Sequence, residues 1–210
     1  MRQQTKSVRI TERDMETLYT IAQLQAVRLD DVGRLLGGGA PLSERTVRGV
    51  VERWKRRGLV EAHRTLSGPS VITLTRAGAY LINADPSWPL GPPSWTLLRH
   101  ALTTSAVAVT YMLDSNAGQW QRPAYARKRH TPDGICVRGS LRAAIEIELN
   151  SKSSDRWGLI FDDVLTNYSA VHYWVSPSVR PVLTRWTNDN VSAQHRGRIS
   201  ILALGSLERP

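Results

Sequence analysis

The stretch Ser43–Gly58, SERTVRGVVERWKRRG, decides how the first half of the chain is read. Val47, Val50, Val51 and Trp54 fall at i, i+3, i+4 and i+7, the apolar stripe of an amphipathic helix. Arg45, Arg48, Glu52, Lys55 and Arg56 occupy the other side and make it mostly cationic. Ser43 suits the N-cap, because its hydroxyl accepts a backbone N–H that has no helical partner. Gly58 suits the C′ position, where a left-handed residue stops a helix. A surface helix with merely solvated charges would show the same pattern, so its neighbours carry the decision.

Upstream, Leu29–Leu36 (LDDVGRLL) reads as a short helix, followed by a turn at Gly37, Gly38 and Gly39. Downstream, Leu59–Thr65 and Val71–Thr75 are β-prone runs joined by the turn cluster Leu66–Ser70. Helix, turn, basic helix and hairpin in that order resemble the winged helix-turn-helix family, whose second helix enters the major groove of DNA. That resemblance implies double-stranded DNA as a partner. Arg45, Thr46 and Arg48 would then face base edges, with Ser43 beside them at the helix start, since Arg pairs bidentately with guanine. Arg53, Lys55, Arg56, Arg57 and Arg64 would hold phosphates, which position a protein without specifying sequence.

Composition agrees with a polyanionic partner. The 210 residues carry a formal charge of +10 and a pI near 10.4, with cations clustered in RWKRR (53–57) and RKRH (127–130). An apolar content of 41% is enough for a real core. Cys136 is the only cysteine, so neither an intrachain disulfide nor a cysteine-rich zinc site is available. No signal-type apolar segment follows Met1 and no apolar run reaches spanning length, so no membrane association is expected.

In chain order, residues 1–9 read as a flexible basic arm. Thr11 starts a helix with Asp14 three residues on, an approximate capping box, and Met15, Leu18, Tyr19, Ala22 and Leu24–Val27 supply its apolar side. Thr75–Ala84 reads as a helix closing a winged domain over 10–84. Residues 85–95, DPSWPLGPPSW, are too rich in proline for a helix or central strand and read as a linker, pinned by Trp88 and Trp95. The second domain, 96–210, opens with an apolar helix over Thr96–Leu113. Strands are expected at Gln119–Tyr125, Gly134–Val137, Leu141–Leu149, Val171–Val175 and Ile199–Leu204, and a helix over Asp155–Ala170. Ser178–Trp186 reads as a short helix and Thr187–Arg198 as loop. The chain is therefore expected to be a two-domain protein of α+β or α/β class.

The order helix, three strands, helix, strand resembles the core of the PD-(D/E)xK nuclease-like fold (αβββαβ). The matching residues are Pro132-Asp133 at the head of one strand and Glu146-Ile147-Glu148 on the next. Asp133 and Glu146 on neighbouring strands could place hard carboxylate oxygens about one divalent ion, usually Mg²⁺, which polarises the scissile phosphate and activates water. Glu146 and Glu148 alternate with Ile145, Ile147 and Leu149, so both carboxylates leave one face of the strand. The resemblance departs at its third position, where Glu148 stands in place of the usual Lys. Lys152 just beyond the strand could swing in, and Lys128 lies just before Asp133. The competing reading makes Glu146 and Glu148 an edge face paired with Arg127, Arg129 or Arg142. All five histidines read as structural or surface, for want of ligand spacing.

Taken over nearly its whole length, the chain resembles the replication-relaxation family of actinobacterial plasmids and mobile elements. The shared stretches are TERDMETLYTIAQLQAV, LSERTVRGVVERWKRRGLVE, ITLTRAGAYL, LRHALTTSAVAV, PDGI and EIELNSKSSDRW. The resemblance implies a bacterial cytosolic protein in plasmid replication, transfer (conjugation) or its regulation; the departure at Glu148, where the motif lysine is missing, makes a degenerate nuclease-like second domain the expectation. The alternative is a Mg²⁺-dependent endonuclease or nickase using Asp133, Glu146, Glu148 and Lys152, delivered by the winged helix. A homodimer is the expectation for a reader of two half-sites.

Overall fold

A computed structural model describes residues 9–40, 42–65, 70–124 and 130–205. The expected arm up to residue 8, the hairpin turn at 66–69 and the basic run at 125–129 lie outside the described residues. The chain forms two compact units, Met1–Ser105 and Ala106–Pro210, each of mixed α and β structure.

In the first unit, Thr11 and Asp14 form the capping box of α1 (Glu12–Leu24), with the Thr11 N–H donating to Asp14 Oδ2 at 2.8 Å. Gln25 follows with a φ of 66°, and this left-handed residue ends the helix. The apolar pattern carried the expected helix on to Val27; instead Ala26–Arg28 is a short strand, β1. It pairs with Val71–Leu74 (β3), which also pairs with Val60–His63 (β2), in an antiparallel sheet of order β1-β3-β2.

Two helices separate β1 from β2. They are α2 (Leu29–Leu36) and α3 (Glu44–Arg56), joined through Gly38 and Gly39 with φ of 62° and 102°. A Cβ on Gly33 would stand 2.9 Å from Val47 Cγ2, so the bare Gly33 is what lets α2 and α3 approach closely. Ser43 caps α3 by accepting the Thr46 N–H. At the other end the Gly58 N–H donates to Lys55 O and the Leu59 N–H to Trp54 O, the paired bonds of a Schellman stop. Val47, Val51 and Trp54 are buried with Leu18, Ile21, Val32, Leu36 and Ile72; Val50 is half-buried.

The short helix α4 (Arg76–Leu81) begins at Thr75, whose hydroxyl accepts the Gly78 N–H at 3.0 Å. The long helix α5 (Trp95–Leu113) follows the proline-rich stretch. The division between the units falls inside α5, not within 85–95. The proline-rich stretch belongs to the first unit because Trp88 packs edge-on against Tyr19, at 5.5 Å, and Gln25 donates to Gly91 O. The start of α5 belongs there too, through Leu98 and Leu102 against Ala26 and Val71, and through the Ser105 hydroxyl donating to Ala26 O at 2.6 Å. Trp95 pins nothing: it is 75% exposed.

The second unit is built on a five-stranded sheet, order β4-β5-β6-β7-β8. The strands are β4 (Gln119–Gln121), β5 (Gly134–Arg138), β6 (Leu141–Glu148), β7 (Ala170–Val175) and β8 (Ile199–Ala203). The first three run antiparallel and the last three parallel. β4 is shorter than expected, ending at Gln121. Helix α6 (Ser154–Asn167) stops before Tyr168, so Ala170 opens β7 instead of closing the helix. Ala144, Val171, Tyr173 and Val175 form one core with Trp157, Ile160, Phe161 and Val164 of α6.

The region expected as loop is helical. α7 (Val179–Asn190) runs past Trp186, and α8 (Ala193–Arg196) follows it. Val179, Leu183 and Thr187 give α7 a buried stripe at four-residue spacing, and Trp186 stacks on Phe161 at 5.0 Å. Those contacts outweigh a polar sequence. Among the described residues no helix is long and apolar enough to cross a membrane.

A tight backbone approach occurs at Gly78, where an added Cβ would lie 2.2 Å from Leu59 O. Alanine is the better helix former by about 1 kcal/mol, yet Gly78→Ala is expected to destabilise by about 1–3 kcal/mol through overpacking. Thermal or urea unfolding checks this; an unchanged or raised midpoint contradicts the close packing of α4 on the β2 side.

Candidate functional site

Each unit gathers one set of the expected residues. In the first, Ser43, Arg45, Thr46 and Arg48 are all exposed, on the first two turns of α3. Arg48 donates to Glu44 Oε1 through Nε at 2.8 Å and Nη2 at 2.5 Å. That pair is well exposed, with side chains 62% and 65% accessible, so it contributes little stability and exchanges easily for another acceptor. Lys55, Arg56, Arg57 and Arg64 are exposed as well, with Lys55 beside Glu52 at 2.7 Å.

Arg53 departs from this set. Its Nη2 lies 2.5 Å from Asp14 Oδ1, an oxygen that also accepts the Trp54 indole N–H at 3.1 Å. Asp14 is almost fully buried. Burial alone would raise its pKa, but the Thr11 N–H and hydroxyl, Arg53 and Trp54 together hold it below the usual value. Arg53 therefore serves the fold by tying α3 to α1, and it is removed from the phosphate-contacting set.

In the second unit, β5 and β6 bring the carboxylates together. The ladder ends at Gly134↔Ile145, and the Asp133 carboxylate just beyond it accepts the Ile147 N–H at 2.8 Å. Asp133 is thereby fixed on β6 between Glu146 and Glu148. Both glutamates are buried, at 3% and 2% exposure. The edge-face reading fails because β6 is the middle strand of five and its carboxylate side lies beneath α6. Arg127, Arg129 and Lys128 lie outside the described residues, and Arg142 is exposed at the far end of β6.

The groups that partner the carboxylates are His130 and Lys152. His130 Nε2 lies 2.7 Å from Glu146 Oε1. The Lys152 ammonium, from the turn that follows the strand, contacts Glu148 Oε1. Burial pushes Glu146 up to about 7, against the hydrogen bond from His130 that favours its anion. The same hydrogen bond raises His130, and burial lowers Lys152 despite the attraction of Glu146 and Asp133. Neither His130 nor Tyr173 was expected at the site. Tyr173 is the register partner of Glu146 on β7 and fully buried, and its hydroxyl has no hydrogen-bond partner among the described residues. The short spacing from His130 to Asp133 was the sequence signal for the first; only strand pairing reveals the second.

Asp133, Glu146 and Glu148 are hard oxygen donors, which suits Mg²⁺ in kind. Among the described residues no three His, Cys, Asp or Glu side chains form a closed metal-ligating group. The unpartnered Tyr173 hydroxyl beside Glu146 leaves the cluster with polar capacity still to be filled. On that ground the donor set suits such an ion in kind, and Asp133 and Glu146 would be the residues to hold it.

No protein family, curated protein or solved structure matches this chain, so its own geometry carries the functional reading.

Glu146 and His130 both hold a proton more tightly in the folded state than in the unfolded chain. Such a contribution to stability is complete below the unfolded values and is lost as pH rises through the raised ones. Unfolding midpoints measured from pH 4 to 9 are therefore expected to fall less steeply for Glu146→Gln than for wild type, chiefly between about pH 4.5 and 7 for the Glu146 contribution. At the alkaline end the variant is expected to be more stable, by on the order of 1 kcal/mol. Parallel pH profiles would contradict the buried His130–Glu146 pairing.

Proposed function

We propose that the chain is a double-stranded DNA-binding protein of a plasmid or other mobile element, acting in replication, transfer or its regulation. In this reading residues 10–84 are a winged helix-turn-helix and the second unit is a nuclease-like fold. The observation that carries it is the exposed, cationic start of α3, held by a buried stripe on its opposite side. The order α1, β1, α2, α3, β2, β3 with a three-stranded antiparallel sheet supports the winged-helix assignment. The stretches TERDMETLYTIAQLQAV, LSERTVRGVVERWKRRGLVE and EIELNSKSSDRW, which resemble the replication-relaxation family, support the plasmid or mobile-element role.

Arg45, Thr46 and Arg48 read base edges; Arg48 leaves Glu44 for the O6 and N7 of a guanine. Lys55, Arg56, Arg57 and Arg64 hold phosphates, and Ser43 keeps the helix start in shape. A homodimer on two half-sites would multiply the specificity. Arg48→Ala is expected to weaken binding to the cognate duplex by about 1–3 kcal/mol and to relax preference at one position. Lys55→Ala is expected to weaken all duplexes alike and to flatten the salt dependence. Fluorescence anisotropy on cognate and scrambled duplexes checks both; equal loss on the two for Arg48→Ala removes it from base reading.

A second reading has its own observation, the return of Lys152 to the carboxylates. In it the second unit is a metal-dependent endonuclease or nickase. Asp133 and Glu146 hold Mg²⁺, which when bound polarises the scissile phosphate. Glu148 and Lys152 position the attacking water, and His130 orients Glu146. Supercoiled plasmid incubated with Mg²⁺, Mn²⁺ or EDTA is then expected to be nicked only with metal, and not at all by Asp133→Ala or Glu146→Ala. A salt-sensitive gel shift without nicking under any metal leaves the DNA-binding reading alone.

A further inference from the structure

Next to the carboxylates, the second unit has a cleft of about 220 Å³. His130, Thr131, Arg142, Asp163, Asn167 and Tyr168 line it. Of these, His130 is hydrogen-bonded to Glu146, so whatever fills the cleft lies one side chain from the proposed reaction centre.

One wall is an aromatic–cation platform, with the Arg142 guanidinium over the Tyr168 ring at 5.8 Å. The platform is built in, not incidental. The Ser169 N–H donates to Arg142 O at 2.8 Å, which fixes the two residues' backbones together. Arg198 donates to Leu165 O at 2.6 Å, to Ser169 O at 3.0 Å and also to Tyr168 O, closing the end of α6 beneath the ring. The lining also includes the Asp163 carboxylate and the Asn167 amide from the last turns of α6, with Asn167 Nδ2 donating to Asp163 O at 2.7 Å; these are groups of the kind that pair with base edges. A stacked guanidinium is itself a surface on which an unpaired base stacks.

Size narrows the ligand. The cleft is smaller than the ~300–1,000 Å³ of sites for drug-sized ligands; it admits one heterocycle and excludes a duplex.

We propose that this cleft binds a single unpaired nucleotide, its base stacked on the Arg142–Tyr168 platform and its edge met by Asp163 and Asn167. The proposal rests on the reading that the second unit acts on DNA, and it makes the substrate there a strand locally opened, not an intact duplex. Unstacking costs a few kcal/mol and is least where the strand is already single.

The test uses the full chain in EDTA, titrated into a single-stranded trinucleotide with 2-aminopurine at its centre and competed with adenosine monophosphate. A saturable fluorescence change is expected. Arg142→Lys, which keeps the charge and loses the plane, is expected to weaken binding about tenfold or more, whereas Tyr168→Phe, which keeps the ring, binds as wild type. Competition by the monophosphate as strong as by unlabelled trinucleotide identifies a free nucleotide as the ligand; competition only by the trinucleotide identifies a strand. No saturable change, or Arg142→Lys binding like wild type, overturns the proposal. Anisotropy on duplex DNA with the same proteins keeps the α3 reading separate, since Arg48→Ala and not Arg142→Lys should affect it. Plasmid nicking reports on the second unit independently of both.

Discussion

Two carboxylates buried on the central strand of the larger sheet are the feature to which the rest of the second unit is fitted. Moving an ion out of water costs several kcal/mol even after the protein relaxes, and β6 does this at Glu146 and again at Glu148. The surrounding residues offset the cost one by one. His130 bonds Glu146, Lys152 reaches Glu148, and Asp133 is turned onto the backbone of Ile147. Apolar side chains at these two positions would give a more stable sheet, because a buried ion pair seldom outperforms well-packed hydrocarbon.

The first unit depends on a smaller knot of the same kind. Asp14 closes the capping box of α1 and also receives both Trp54 and Arg53 from α3. One carboxylate thus fixes where α1 starts and how α3 lies against it. Because Arg53 is spent on that contact, the cationic surface of α3 is divided by role. Arg53 faces inward and holds the helix, while Arg45, Arg48, Lys55, Arg56 and Arg57 face outward. Asp14 thereby sets the angle at which the exposed basic side of α3 is held.

Local chemistry was legible in the sequence wherever it was also decisive. Thr11, Ser43 and Thr75 cap helices as their spacing implied, and Gly58 stops α3 with the expected left-handed turn. The alternation of β6 was plain, as was the apolar register of α6. The misreadings share a cause, which is contact between residues remote in sequence. Ala26-Val27-Arg28 continues a helical pattern on paper and becomes a strand because β3 offers it an edge. The polar α7 is helical because Leu183 and Trp186 find the core of α6. Arg53 looked like its neighbours until Asp14, 39 residues earlier, took it. His130 looked like a surface residue until Glu146 was placed beside it.

The departure at Glu148 shows why spacing along one strand is a poor proxy for a site. The sequence Glu146-Ile147-Glu148 puts an anion where the nuclease-like pattern has a lysine, and read linearly this counts against catalysis. A charge acts through distance, not through its position in a motif. The turn after β6 brings Lys152 back four residues onto Glu148, where its ammonium is also attracted by Glu146 and Asp133. The cluster therefore contains the cation that the strand omits. Ser153 then caps α6 directly after Lys152, which fixes the turn from the other side. A lysine delivered by a turn has freedom that a lysine on a strand lacks. The ionic contact from that turn thus offsets the burial of Glu148, which no partner on the strand itself could do.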